Sequence, residues 1–375
     1  MNAALIAKQL EQAVERFQPS QFGLAEGLIG QVLSACELAR TQPDFDNAAW
    51  AERAIDSFNS HGAGQGLHSG VAGMGLVLAL YFADVEELLA AIDAALVPKL
   101  ATLAPTSLRE GWAGIALYAS VRSQSPSGQR LQTALVEAFA AAALPERGGV
   151  MWLVPRSYAQ ARGVSVLAEP IREFGMVHGM GAALVGLSAL AAQGHSRAAE
   201  LARGALRWVW AHDRGAPNHF AFHIFDETYT ALSNGAWCTG DVGVVRGCWI
   251  AARTLGERDA AARALELART LARDWLTIGK PQRVQADRLD LCCGSAAVGQ
   301  IFRRFHMETS EALFRTVSDE IFADAHAHLS HVTDDGFQFG QLGILTALHS
   351  SAASLTPNWD CVLAMSLPQS IATTA

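Results

Sequence analysis

"SGVAGMGLVLALYF", from Ser69 to Phe82, begins with two glycines three residues apart and continues as a nearly unbroken apolar run. Six further stretches share the plan: "EGLIGQVLSACEL" from Glu26, "EGWAGIALYAS" from Glu110, "HGMGAALVGLSAL" from His178, "CTGDVGVVRGCWIAA" from Cys238, "CGSAAVGQIF" from Cys293 and "FGQLGILTALHS" from Phe339. The leading glycines are Gly27, Gly70, Gly111, Gly179, Gly240, Gly294 and Gly340, spaced 41 to 68 residues apart. Five units are strict G-x-x-G, and Ala182 and Ala297 replace the second glycine in the fourth and sixth. Self-similarity on this length scale marks a repeat architecture.

More polar segments lie between the units. "ALIAKQLEQAVERF", "AAWAERAIDSF", "VEELLAAIDAALVPKLATL", "SGQRLQTALVEAFAAAAL", "SRAAELARGALRWVWAH", "ERDAAARALELARTLARDWLT" and "SEALFRTVSDEIFADAHAHL" repeat their apolar positions every three or four residues, the period of an amphipathic helix. Strand-like alternation is almost absent. The chain is therefore expected to be all-α, a single domain over residues 1–375 built as an α/α toroid of seven helix pairs. Apolar, glycine-started helices line the inside and amphipathic helices wrap the outside. Glycine at the start of an inner helix permits close approach of crowded backbone. An open helical solenoid is the competing architecture. Two Gly- and Pro-punctuated stretches, around 144–175 and 213–236, do not fit the ring and read as long loops or short hairpins over one end, where substrate contacts usually sit.

Composition narrows the class. Half of the 375 residues are hydrophobic and only 17% are charged, and the mean hydropathy of +0.17 calls for a large apolar interior. No apolar run reaches membrane-spanning length, and the first residues lack the layout of a signal peptide. Six scattered cysteines suggest a reducing, cytoplasmic setting. A net charge of −8 without a basic cluster argues against nucleic acid and is compatible with a positively charged peptide partner.

In a ring of this kind the residues just before each glycine pair gather on one rim. These are Glu26, His68 with Ser69, Glu110, His178, Cys238, Cys292 with Cys293, and Phe339. The fifth and sixth repeats are neighbours, so Cys238, Cys292 and Cys293 converge. Three sulfurs with one open position is the layout of a catalytic zinc site. Small buried thiols are the plainer reading, and it is the one taken for Cys36, Cys248 and Cys361.

"AWCTGDVGV" (Ala236–Val244) and "LCCGSAAVGQIF" (Leu291–Phe302) resemble the W-C-x-G and C-H-G motifs of LanC-like lanthionine cyclases. "VHGMGA" (Val177–Ala182) resembles their H-G motif, and "WDCVLAMSL" (Trp359–Leu367) is similar to the end of stand-alone members. The likeness runs through all seven repeats. It implies an α/α toroid with Zn2+ on the rim that adds peptide cysteine thiols to dehydroalanine or dehydrobutyrine, closing thioether rings. It also implies a dehydrated precursor peptide, leader plus core, as substrate, with a lanthipeptide dehydratase and an exporter as further partners. Carried over by position, Cys238, Cys292 and Cys293 are the zinc ligands, Cys293 standing where most members have histidine. A third thiolate adds negative charge around the metal, which leaves more electron density on a substrate sulfur. His178 is then the residue that protonates the enolate or moves the thiol proton.

Two positions depart from the family pattern. Ser107 stands where members commonly have aspartate, and Asn234 where they often have arginine. Either Glu110, Asp241 or water takes over the proton handling, or activity is weak, altered or lost. Glu110 and Asp241 read equally well as solvated or helix-capping carboxylates. The competing functions are glutathione transfer to dehydroamino acids and a non-catalytic, peptide-binding LanC-like protein. Protein prenyltransferases, which "DDGFQFGQLG" (Asp334–Gly343) faintly resembles, are disfavoured by the adjacent cysteine pair.

Overall fold

Among the described residues, the seven polar segments and the seven apolar ones form fourteen α-helices that alternate along the chain. The computed structural model describes residues 1–154, 171–215, 219–220, 223–224, 235–278 and 288–369. The outer helices are α1 (Ala3–Arg16), α3 (Asn47–His61), α5 (Glu86–Leu96), α7 (Pro126–Ala142), α9 (Ser196–Ala211), α11 (Arg258–Ile278) and α13 (Ala312–Ala327). The inner helices are α2 (Leu28–Ala39), α4 (Val71–Tyr81), α6 (Trp112–Ser120), α8 (Met180–Ala192), α10 (Asp241–Leu255), α12 (Ser295–Thr309) and α14 (Gln341–Ala352).

Burial follows the two sequence patterns. In α11 the buried residues are Ala264, Ala268, Leu271, Ala272 and Trp275, one stripe at helical spacing, while Arg269 pairs with Glu311 on the outer side. In α10, by contrast, every residue from Asp241 to Ala252 is buried. Neighbouring inner helices pack in sequence from α2 through α14, and α14 packs back on α2 and on α1. The ring is closed, which excludes the open solenoid and bears out the α/α toroid.

The two helix sets start differently. Three outer helices use side-chain caps: in α1 Asn2 accepts from the N–H groups of Ala4 and Leu5, in α3 Asp46 accepts from Ala49, and in α7 Ser125 accepts from Gly128. Inner helices begin at a glycine without a side-chain cap, and the preceding turn folds back to cap them with its own carbonyls. Val71 N–H donates to Gly64 O, Gln341 N–H to Asp334 O, and Ser295 and Ala296 N–H to Arg288 and Leu289 O. This fold-back explains the second glycine of each strict pair. A Cβ on Gly243 would stand 2.0 Å from Trp237 O and 2.8 Å from Met176 Cγ. The crowding thus comes from the helix's own turn as well as from a neighbour. Gly243→Ala should accordingly displace the Trp237–Cys238 turn and cost about 2 kcal/mol of stability, read as a lowered melting temperature.

Those turns form a belt. Leu24 N–H donates to His68 O (2.8 Å), His68 N–H to Arg109 O (2.9 Å), Leu108 N–H to Val177 O (2.7 Å), Val177 N–H to Cys238 O (3.3 Å), Leu291 N–H to Gln338 O (3.1 Å) and Gln338 N–H to Ala25 O (2.8 Å). Each bond ties the turn before one inner helix to the next turn around the rim. Among the described residues no such backbone bond joins the Cys238 turn to the Cys292 turn.

The axis of the ring is filled by residues after α14. A 3₁₀ turn over Trp359–Leu363 is fully buried and packs against α2 and α6. Trp237 Nε1 donates to Leu363 O, Arg246 Nε to Met365 O and Trp359 Nε1 to Ser350 Oγ, and His68 Nε2 lies 2.8 Å from Val362 O. The stretch read only as a similar tail is therefore the plug of the ring. Of the two stretches that break the repeat, the first contains an antiparallel hairpin, β1 (Leu144–Glu146) with β2 (Gly149–Met151). It also contributes β3 (Arg172–Glu173), which pairs antiparallel with β4 (His223–Ile224) of the second. Residues 155–170 of the first, and 216–218, 221–222 and 225–234 of the second, including Asn234, are not among the described residues. Among those residues no helix is long and apolar enough to cross a membrane.

Candidate metal centre

Cys238 ends the turn before α10, and Cys292 and Cys293 end the turn before α12. The rim brings their sulfurs together: Cys238 Sγ to Cys293 Sγ is 3.2 Å, Cys292 Sγ to Cys293 Sγ is 3.7 Å, and all three lie within 4.8 Å of one another. Tetrahedral zinc with Zn–S bonds of about 2.3 Å places sulfurs about 3.8 Å apart. The group spans the junction where, among the described residues, the backbone belt has no bond.

Asp290 shapes this turn. Its Oδ1 accepts from the N–H groups of Cys292 (2.8 Å) and Cys293 (2.9 Å), and its Oδ2 accepts from Arg288 Nε (2.5 Å). The Arg288 guanidinium also lies over the Phe339 ring, 5.8 Å from its centroid. An acid two residues before the cysteine pair forms a side-chain turn of a kind Asp favours. That signal stood in "RLDLCCG" (Arg288–Gly294), yet the acid was not singled out from the sequence.

The three thiols share their protons unequally. Cys293 is held far below the ordinary thiol range by hydrogen bonds from Cys238 and from Cys292, with the positive Arg288 adding to the effect against burial. Cys292 is pushed up by donation to Cys238 and to Cys293 and by burial. The contact with Cys292 draws Cys238 down, but donation to Cys293 and burial outweigh it and leave this thiol raised. One thiolate thus forms readily while two resist, as expected of like charges crowded in a buried site. A divalent cation is what would let all three ionise together, so the donor set fits zinc in both spacing and charge. Cys36, Cys248 and Cys361 are buried and pushed up mainly by desolvation, Cys36 to about 12, as packing thiols would be.

The other sequence candidates sit on adjacent turns of the same rim. His178 is 9% exposed; its carbonyl accepts from Thr106 Oγ1 (2.7 Å), and its neighbour Val177 bonds Cys238 O. Ser107 is fully buried, and its Oγ accepts from the N–H of Glu110 (3.1 Å), whose side chain is exposed. Asp241 is buried at the first position of α10, where its carboxylate accepts from the N–H groups of His219 (3.3 Å) and Phe220 (3.0 Å). It anchors the segment that follows α9.

A closed α/α toroid with three sulfurs on one rim places the chain in a narrow structural class. A family model described as lanthionine synthetase C-like protein matches residues 165–363. That is more than half of the sequence, and the chain belongs to this family. The fold is similar to that of nisin cyclase, with a TM-score of 0.75 and 16% identity over 96% of each chain. No curated protein matches it by sequence.

Proposed function

We propose that this protein is a zinc-dependent lanthipeptide cyclase. It adds cysteine thiols of a dehydrated precursor peptide to dehydroalanine or dehydrobutyrine and leaves (methyl)lanthionine rings. The convergence of Cys238, Cys292 and Cys293 on the rim carries this reading. These three residues would hold Zn2+, which when bound supplies a site for the substrate thiol and favours its thiolate form.

The chain's own residues then have distinct tasks. Asp290 fixes the Cys292 and Cys293 backbone so that both sulfurs face Cys238. The thiol proton leaves to a base on the rim. The sulfur electron pair forms the S–Cβ bond, and the Cα=Cβ pair moves onto the acceptor's carbonyl oxygen. His178, one turn away from Cys238 along the belt, delivers the proton to Cα as the carbonyl re-forms. Glu110, exposed on the next turn, is the group that exchanges this proton with solvent, and Asp241 holds the segment beside the site.

The test is incubation of zinc-loaded protein with a dehydrated, cysteine-containing peptide, followed by thiol alkylation and mass spectrometry. Ring closure leaves the mass unchanged and removes the alkylation adducts; persistence of free thiols would sink the reading. One observation favours a second reading. Ser107 provides no carboxylate at its buried position, as a non-catalytic peptide-binding protein would tolerate, and such a protein would bind the peptide without losing thiols. With glutathione present, a glutathione adduct without rings would instead identify a transferase.

A further inference from the structure

We propose that Arg288 is a catalytic residue that receives the negative charge developing on the acceptor's carbonyl oxygen during thiol addition. This rests on the cyclase reading above. Three thiolates around a divalent cation carry a net charge of −1, and a fourth sulfur from the substrate makes it −2. The sulfur must then push electrons onto an oxygen a few ångströms away. Placing another negative charge beside that centre is unfavourable unless a cation faces the oxygen.

Arg288 is where such a cation is needed. Nε is bound to Asp290, whose other oxygen holds the Cys292 and Cys293 N–H groups. One face of the guanidinium covers Phe339, the rim residue of the seventh repeat. Its backbone carbonyl is fixed by Ser295 N–H (3.2 Å). Anchored on these three sides, the side chain is still 38% exposed. Among the described residues nothing accepts from its Nη groups, so those donors are free to face a ligand. The Asp290 carboxylate keeps the guanidinium aimed, and the same carboxylate holds the backbone of Cys292 and Cys293. The surroundings thus resemble a preorganised oxyanion site more than a surface ion pair.

In the step itself, the sulfur lone pair forms S–Cβ while the Cα=Cβ pair relocates to the carbonyl oxygen, which accepts from the Arg288 Nη groups. The enolate then collapses as Cα takes a proton from the acid on the rim. Arg288 keeps all its own protons throughout.

The experiment compares wild type, Arg288→Gln, Arg288→Lys and Arg288→Ala. It measures kcat and KM for ring closure, zinc content, melting temperature and the thiolate-to-metal absorption of cobalt-substituted protein. Arg288→Gln is expected to keep its metal and that absorption, leave KM within about threefold, and lower kcat about a hundredfold. Arg288→Lys should recover part of the loss, and added ethylguanidinium should raise the rate of Arg288→Ala. An unchanged kcat in Arg288→Gln would overturn the assignment while leaving the cyclase reading intact. So would a loss that tracks metal content or KM alone, or the absence of any rescue. A wild type that closes no rings overturns both.

Discussion

Cys293→Ala is expected to lose its zinc and more than about a hundredfold of ring-closing activity, with little change in folding. Cys293 is the middle sulfur of the group, in contact with Cys238 at 3.2 Å and with Cys292 at 3.7 Å. Its removal leaves two sulfurs where the site needs three protein ligands, a poor site for a metal. It is also the least buried of the three, so the cavity left behind costs less than one in the core. Zinc per chain, measured on reduced and desalted protein, decides the matter. Cys36→Ala is the control and should retain the metal, because Cys36 lies inside α2 against Asn47. Cys293→His should rebind zinc, since an imidazole at the position where the family usually has one restores a third ligand. Full zinc occupancy in Cys293→Ala would mean that the cluster is packing, and the metal would have to be sought elsewhere.

The ring itself was legible because its physics is local and repeated. Each glycine pair records the same collision, a would-be Cβ against a carbonyl of the turn that folds back over the helix start, as at Gly243 with Trp237 O. Five such records within seven repeats, separated by amphipathic stripes, leave few architectures open. The convergence of Cys238 with Cys292 and Cys293 followed from the same periodicity, because adjacent inner helices start on the same rim. Non-repeated features were harder to read. The plug "WDCVLAMSL" has no counterpart in any repeat, and nothing local says that Trp359 reaches Ser350 or that His68 and Trp237 reach the carbonyls of Val362 and Leu363. Asp241 illustrates another limit. A carboxylate in the first turn of a helix suits proton transfer and loop anchoring alike, and only the bonds from His219 and Phe220 show where its oxygens are engaged. Arg288 and Asp290 escaped for a third reason: their importance lies in a contact with Phe339 from the next repeat and with the backbone of the cysteine pair.

Asp360→Ala is expected to cost about 4 kcal/mol of stability, the largest loss of folding anticipated for a single side chain away from the sulfurs. Asp360 is fully buried in the plug. It accepts from Arg304 Nη2 (2.6 Å) and Nε (2.7 Å), Gln300 Nε2 (2.5 Å) and Ser366 Oγ (2.8 Å). Deleting the carboxylate strands the Arg304 guanidinium, itself only 9% exposed, without its countercharge on the ring axis. Replacing both partners with apolar residues of similar volume should cost less than either single change, because the penalty lies in the unpaired charge. The pH dependence follows from the direction of the shift. Burial raises the Asp360 carboxyl, but Arg304, together with bonds from Gln300 and Ser366, more than offsets this and leaves it below its ordinary value. Its contribution is therefore fully present above the unfolded carboxyl range, near pH 4, and is lost as pH falls through the lower folded value. Thermal melts followed by circular dichroism should be flat for this contribution from neutral pH down to about 5 and fall below about 4, and Asp360→Asn should lack that acid-dependent part. The consequence reaches the rim, because the plug that Asp360 secures also receives Trp237, the residue next to Cys238. Loosening the axis should weaken zinc retention in Asp360→Ala even though no sulfur has been touched. Wild-type zinc affinity in a clearly destabilised Asp360→Ala would show that the rim holds its geometry without the plug.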